Sequence, residues 1–189
     1  MTEHEGRLAG YRHRRDHFFG QHHHSPLREE QRARFTGLDY FPERDDLALV
    51  LTLDETADGV GDEVNLPTTD GKTKPFVRAG QVRFAVDGEE ATLTVFRDGE
   101  RGSLFIPFRD ASAGEETYEV GRYLEPQSRP DGTLVVDFNY AYNPFCAYGE
   151  GWSCPIPPEE NRLALTIPAG ERAFRDEAEE PANGAELAD

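Results

Sequence analysis

Residues 81–99 read Gln81-Val82-Arg83-Phe84-Ala85-Val86-Asp87-Gly88-Glu89-Glu90-Ala91-Thr92-Leu93-Thr94-Val95-Phe96-Arg97-Asp98-Gly99. Val82, Phe84 and Val86 alternate with Arg83, Ala85 and Asp87, a period of two that gives a strand one apolar face. Asp87-Gly88 then suits a two-residue turn, because both central positions of the favoured hairpin turn need positive φ. Beyond it Ala91, Leu93 and Val95 resume the alternation, and Asp98-Gly99 closes it. The stretch is a β-hairpin, and Ser103–Phe108 supplies the third member of an antiparallel meander.

Outward from this hairpin, Leu47–Leu53, Glu63–Pro67, Lys74–Val77, Thr117–Leu124, Thr133–Phe138 and Arg162–Ile167 also read as strands. Short strands separated by turn signals, with no helical runs between them, predict a mostly β protein: an antiparallel β-barrel or sandwich-like single domain. The N-terminal part differs. Leu8, Tyr11, Arg15 and Phe18 or Phe19 recur at helical spacing up to Gly20, and Ser25-Pro26 reads as the N-cap and first residue of a second helix running to Arg34. Two short N-terminal helices are expected, and the chain divides into a helical arm over 1–35 packed on the body, a β domain over 36–175 and a disordered acidic tail over 176–189.

The 189 residues suffice for one core and are few for two. Acid dominates: 37 Asp and Glu face 20 Lys and Arg, a formal charge of -17. Lys72 and Lys74 are the only lysines. Such a surface repels nucleic acid and anionic membranes, so neither is an expected partner. Acid spread along the whole chain fits high salt, where carboxylates stay hydrated and charges are screened over about 3 Å at 1 M. A halophilic archaeal cytosol is the expected setting. No stretch approaches the roughly 20 apolar residues of a membrane span, and the N-terminus lacks a secretion signal's apolar run, so the expected localisation is cytoplasmic. Residues 1–35 go against the trend, with seven arginines against five acids. The plain reading is a basic arm on an acidic body; the sharper one is an anion site made by Arg12, Arg14 and Arg15.

Phosphate loops, dinucleotide turns, zincin helices, nucleophile elbows and Cys-x-x-Cys pairs are all missing, and no cofactor is implied. All six histidines, His4, His13, His17, His22, His23 and His24, precede the β body. A His-dependent centre therefore requires the arm to fold back over the sheet. The His22–His24 run suits a transition metal poorly, because neighbours on an extended chain point in opposite directions. Cys146 and Cys154 are left open as a disulfide, two metal ligands, a reactive thiol or inert buried thiols. Asp137 and Asn139 share one strand face, and with Asp110, Arg122, Tyr118, Tyr123, Tyr142, Asn143 and Tyr148 they could line one pocket. Against this stands the reading that buried polar groups merely satisfy the backbone and each other.

Several motifs resemble a known family. They are Ser25-Pro26-Leu27, Phe35-x-Gly37-Leu38-x-Tyr40-Phe41-Pro42, Leu104-Phe105-Ile106-Pro107-Phe108-x-Asp110 and Thr117-Tyr118-x-x-Gly121-Arg122-Tyr123-Leu124. Asp137-Phe138-Asn139-x-Ala141-Tyr142-Asn143-Pro144-x-Cys146-Ala147-Tyr148, Cys154-Pro155-x-Pro157-Pro158-x-x-Asn161 and Ala169-Gly170-Glu171 complete the set. Over roughly residues 11–172 the chain resembles the family of domain of unknown function 1684, found in archaea and bacteria. The resemblance implies no activity and transfers no catalytic residue. It places Arg122, Asp137, Asn139, Asn143, Cys146 and Cys154 in family motifs, while Phe145, where a proline resembling other members is expected, and the His22–His24 run depart from them.

The leading expectation is a small-molecule ligand, an anionic one included, in a pocket under the 143–158 loop lined by Arg122, Tyr123, Asp137, Asn139, Tyr142 and Asn143. One alternative is an enzyme using Asp137 or Asp110 as base with Arg122 and Tyr142 stabilising negative charge. Another is a Cys/His metal-binding or purely structural protein. Both pocket readings require the Arg122 guanidinium and the Asp137 carboxylate to meet.

Overall fold

The computed structural model describes residues 3–176. Eight strands form two antiparallel sheets. The larger joins β2 (Glu63–Pro67), β3 (Thr73–Val86), β4 (Glu89–Asp98), β5 (Leu104–Phe108) and β6 (Arg122–Leu124) in sequence order. The smaller places β8 (Thr133–Asp137) between β1 (Ala48–Thr52) and β7 (Gln127–Ser128). The opening hairpin is β3–β4, registered from Val86↔Glu89 to Phe76↔Asp98. At its tip Asp87 and Gly88 take φ of 49° and 89°, the double positive that a two-residue turn requires.

Period two sorts the side chains. Val82, Phe84 and Val86 from β3 and Leu93 and Val95 from β4 face Leu134, Val136 and Phe138 across the space between the sheets. The opposite face of the large sheet holds a second cluster of Leu66, Phe76, Phe96, Phe105 and Tyr123. Val95 and Phe96 are thus both fully buried, one in each layer.

Lys74–Val77 and Val82–Val86 are one long bent strand rather than two, with the register shifting between Arg78 and Gly80. Only glycine fits at that bend, since a Cβ on Gly80 would stand 2.7 Å from Leu53 Cδ1 and 2.8 Å from the Asp54 carbonyl oxygen. Of the expected Thr117–Leu124 strand only Arg122–Leu124 is extended, because Thr117 and Gly121 are drawn into turns closed on Ser112 and Tyr118. Arg162–Ile167 keeps its alternation but is no strand: it runs beside Arg109–Ala111 with only scattered bonds, Leu163 N to Arg109 O among them.

Helix α1 spans Glu3–Gln21, longer than the expected first helix. Helix α2 spans Glu29–Arg34 and begins later than Ser25-Pro26 predicts. Ser25 accepts Leu27 N–H and donates to Phe19 O, so it closes a turn, while Gln31 Oε1 accepts Arg28 N–H at the true helix start. Along α1, successive residues meet successive partners in Asp137–Tyr148. His4 bonds Asp137, Tyr11 packs on Tyr140, Arg15 lies over Tyr142, and Phe19 packs on Phe145 and Tyr148. Beyond Asp176, the acidic tail expected over 176–189 lies outside the described residues. Among the described residues no helix is long and apolar enough to cross a membrane.

Candidate functional site

Arg122 sits on the last strand of the large sheet, fully buried. Its guanidinium donates to the carbonyls of Ile167, Ala169 and Glu171 and to Asp110 Oδ1 at 3.3 Å. Asp110 in turn accepts Ser112 Oγ and Ile167 N–H. Gly170 makes this possible. At φ 79° it lets the chain pass so close to the Phe138 and Ala141 carbonyls that a Cβ would lie 2.7 and 2.6 Å from them. Arg122 is therefore a clamp on the 167–171 segment. It is fully buried with both Nη groups engaged, and it partners Asp110 rather than Asp137.

Asp137 ends β8 as the cap of a 3₁₀ turn over Phe138–Tyr140 and accepts both Asn139 N–H and Asn139 Nδ2. Its other oxygen takes His4 Nε2 at 2.6 Å, and His4 Nδ1 meets Glu43 Oε1 at 2.7 Å. The arm does fold back over the sheet, as a histidine role requires. Held between two carboxylates, and chiefly by the Asp137 bond, the imidazole has its pKa raised above 6.5 against a smaller opposing effect of burial. Asn139 faces away from any opening, exchanging bonds with the Arg44 backbone. His4, Glu43 and Asp45 bring ligand atoms within 4.8 Å of one another, a set that suits a divalent cation. To bind one, however, His4 would have to release a carboxylate. His22, His23 and His24 are not splayed as an extended chain would be. They turn, and their exposed rings lie 3.9–5.5 Å from one another, His22 stacked on His23 and the other pairs tilted.

Asn143 joins a different cluster. Glu171 is 1% exposed and binds Arg15 Nη2, Asn143 N–H and the Tyr148 hydroxyl, while Asn143 Nδ2 reaches Arg172 O. Burial pushes the Glu171 carboxyl above its ordinary value, and the Arg15 guanidinium opposes the shift. The Tyr123 hydroxyl is also spent internally, donating to Pro155 O. Cys146 and Cys154 form a disulfide, one of the readings open for the pair. The loop it closes is pinned on one side by Thr69 N–H to Cys154 O and Ile156 N–H to Pro67 O. On the other side Phe145 stacks with Phe18.

Two of the clefts among the described residues stand out, and neither takes a lining residue from 144–158. The smaller, about 460 Å³, lies beside Glu171 between the 37–39 and 171–176 segments. The larger, about 850 Å³, runs between α1 and the β6–β8 region. Leu124, Val135, Tyr140 and Tyr142 line one side of it and Gly6, Gly10, Tyr11 and Arg14 the other, with His4, Arg7, Glu125, Gln127, Arg129 and Asp137 also lining it. Of the six residues expected to share a pocket, Asp137 and Tyr142 line this groove, while Arg122, Tyr123, Asn139 and Asn143 do not. Both acids are already engaged, Glu125 by the Tyr142 hydroxyl at 2.8 Å and Asp137 by His4 and Asn139. The exposed Arg14 and Arg129 form no ion pair among the described residues. The three arginines read as one anion site diverge: Arg12 caps the Tyr40 ring and Arg15 binds Glu171, leaving Arg14 alone in the groove.

The family profile "Protein of unknown function (DUF1684)" matches residues 33–172. The chain belongs to the DUF1684 family. A solved relative agrees with the assignment: the solution NMR structure of an uncharacterized protein from Haloarcula marismortui shares 38% identity, covers 90% of this chain and 94% of its own, and superposes with a TM-score of 0.64. No functionally curated protein matches.

In this DUF1684 chain, sequence reasoning missed His4, Glu171, Arg129, Gly6 and Gly10 as parts of a site, and it grouped Arg14 with Arg12 and Arg15 rather than with this groove. The glycines carried a signal: Gly6 and Gly10 interrupt an otherwise helical arm at i, i+4 spacing, a costly placement without a local reason. His4 and Glu171 carried none, because their partners lie 133 and 156 residues away.

Proposed function

We propose that this DUF1684 protein binds a small anionic molecule in the groove between α1 and the β6–β8 region. The observation that carries the reading is a local reversal of charge. In a chain of net charge -17 this groove presents Arg14 and Arg129 without ion pairs among the described residues, while its own acids, Glu125 and Asp137, already have hydrogen-bond partners. Arginine suits carboxylate and phosphate through paired N–H donors. The setting we propose is a high-salt archaeal cytosol, supported by the near absence of lysine and the Haloarcula relative. At about 1 M salt long-range attraction is screened out, so affinity there rests on direct contacts.

The test is calorimetric titration with a panel of small carboxylates and organic phosphates, on the parent chain and on Arg14→Ala/Arg129→Ala. A charge-assisted bond contributes about 1.5–3 kcal/mol, so the double variant is expected to weaken binding at least about tenfold. Failure of every anion to bind, or equal binding by the double variant, refutes the reading.

A second reading concerns other residues. Arg122, Asp110, Asn139 and Asn161 are engaged by internal bonds, which supports a structural role for the family motifs. The enzyme reading keeps only Asp137 and Tyr142 in the groove, since its Asp110 and Arg122 hold each other and the 167–171 backbone.

A further inference from the structure

We propose that the anion taken by this groove is a flat aromatic acid, its ring lying between the bare backbone at Gly6 and the Tyr140–Tyr142 wall, and its acid group held by Arg14 and Arg129. The inference rests on the anion-binding reading above and narrows it to a ligand class.

Glycine is the poorest ordinary residue for a helix interior, yet α1 carries two within one turn. Packing does not demand them. A Cβ built on Gly6 meets nothing within 4 Å, and one on Gly10 meets only the Arg14 guanidinium at 3.4 Å. Backbone conformation does not demand them either, since neither has positive φ. Their i, i+4 spacing places both on one side of the helix, and both line the groove. At Gly6 this leaves open space along the helix surface, and beside Gly10 the Arg14 guanidinium lies against it.

That space is walled by aromatic rings. Tyr11 and Tyr140 pack 4.9 Å apart, and Tyr142 stands further along with Arg15 over its ring. Leu124 and Val135 add an apolar floor. A planar ring can lie along the bare helix surface at Gly6 and meet the half-buried Tyr140 and Tyr142 rings, a contact that an aliphatic acid makes less well. The 3.4 Å approach at Gly10 also shows that the Arg14 guanidinium lies against the helix beside that glycine, next to where the ring's acid substituent would sit.

The experiment compares phenyl phosphate with butyl phosphate, and benzoate with hexanoate, by calorimetry on the full chain and on Gly6→Ala. Aromatic probes are expected to bind roughly tenfold more tightly than their aliphatic counterparts. Gly6→Ala is expected to raise the unfolding temperature by improving the helix and to weaken the aromatic probe by about tenfold, a combination no purely structural role produces. Equal affinity for aromatic and aliphatic probes, or unchanged affinity in a stabilised Gly6→Ala, overturns the aromatic assignment. In that case anion binding lost in Arg14→Ala/Arg129→Ala would leave the broader reading standing. If no probe binds, both fall.

Discussion

At Asn161 one amide does the work of a missing strand. The β4–β5 ladder covers only Phe96↔Phe105 and Arg97↔Leu104, which leaves the Thr94 backbone without a strand partner on that side. Asn161, fully buried, accepts Thr94 N–H through Oδ1 and donates Nδ2 to the carbonyls of Thr94 and Pro107. Asn161→Ala strands three buried backbone groups and should lower stability by about 1–3 kcal/mol in urea unfolding; an unmoved midpoint would contradict this account. Asp110→Ala should cost more, about 3–5 kcal/mol, because it leaves the Arg122 charge buried without its counter-ion. His4 offers a pH handle. Its folded-state pKa is raised above 6.5, so the stabilisation from its carboxylate pairs is complete below pH 6.5 and fades as pH rises through the raised value. Imidazole NMR titration should show this elevation, with Asp137→Asn moving the value back down; a pKa at or below 6.5 in the parent chain would refute the pairing.

Helix α1 is held to the body through Asp137–Tyr148, through Glu171 behind it and through the 35–43 segment, where Asp16 accepts Leu38 N–H, Arg12 lies over Tyr40 and Phe19 stacks on Phe35. The disulfide lies in the continuation of Asp137–Tyr148, so it ties the floor under α1 to the β2–β3 hairpin. Closing a loop with a separation of eight residues removes unfolded-state entropy worth about 2–3 kcal/mol in the chain-entropy picture. Cys146→Ser/Cys154→Ser should lose that much in denaturant unfolding, and the parent chain should lose it on adding a dithiol reductant. Identical curves with and without reductant would mean the cross-link contributes nothing.

Across the whole molecule the net charge of -17 sets the response to salt. Self-repulsion at low ionic strength opposes the compact state, and screening relieves it. The unfolding temperature should therefore climb between about 0.1 and 1 M sodium chloride, where the Debye length shrinks from about 10 to 3 Å. Ligand binding through Arg14 and Arg129 should weaken over the same range, because the same ions screen that attraction. A flat stability profile would count against salt adaptation.

The alternation around Val82–Val95, the Asp87-Gly88 turn and the helical spacing of the arm were readable from the chain because each obeys a rule acting over two to four residues. Neighbours along the sequence enforce such rules wherever the segment ends up. Strand existence was therefore legible, while Arg162–Ile167 shows the limit: its pattern is that of a strand, but folding offers it only Arg109–Ala111 as a neighbour and no ladder forms. The polar residues of the site obey no local rule. Asp137 and Arg122 could both be singled out, yet only the packed chain delivers His4 to one and the Ala169 carbonyl to the other. A buried polar side chain must bond to whatever groups the topology brings within about 3 Å, and those groups come from sequence positions its own neighbourhood does not encode.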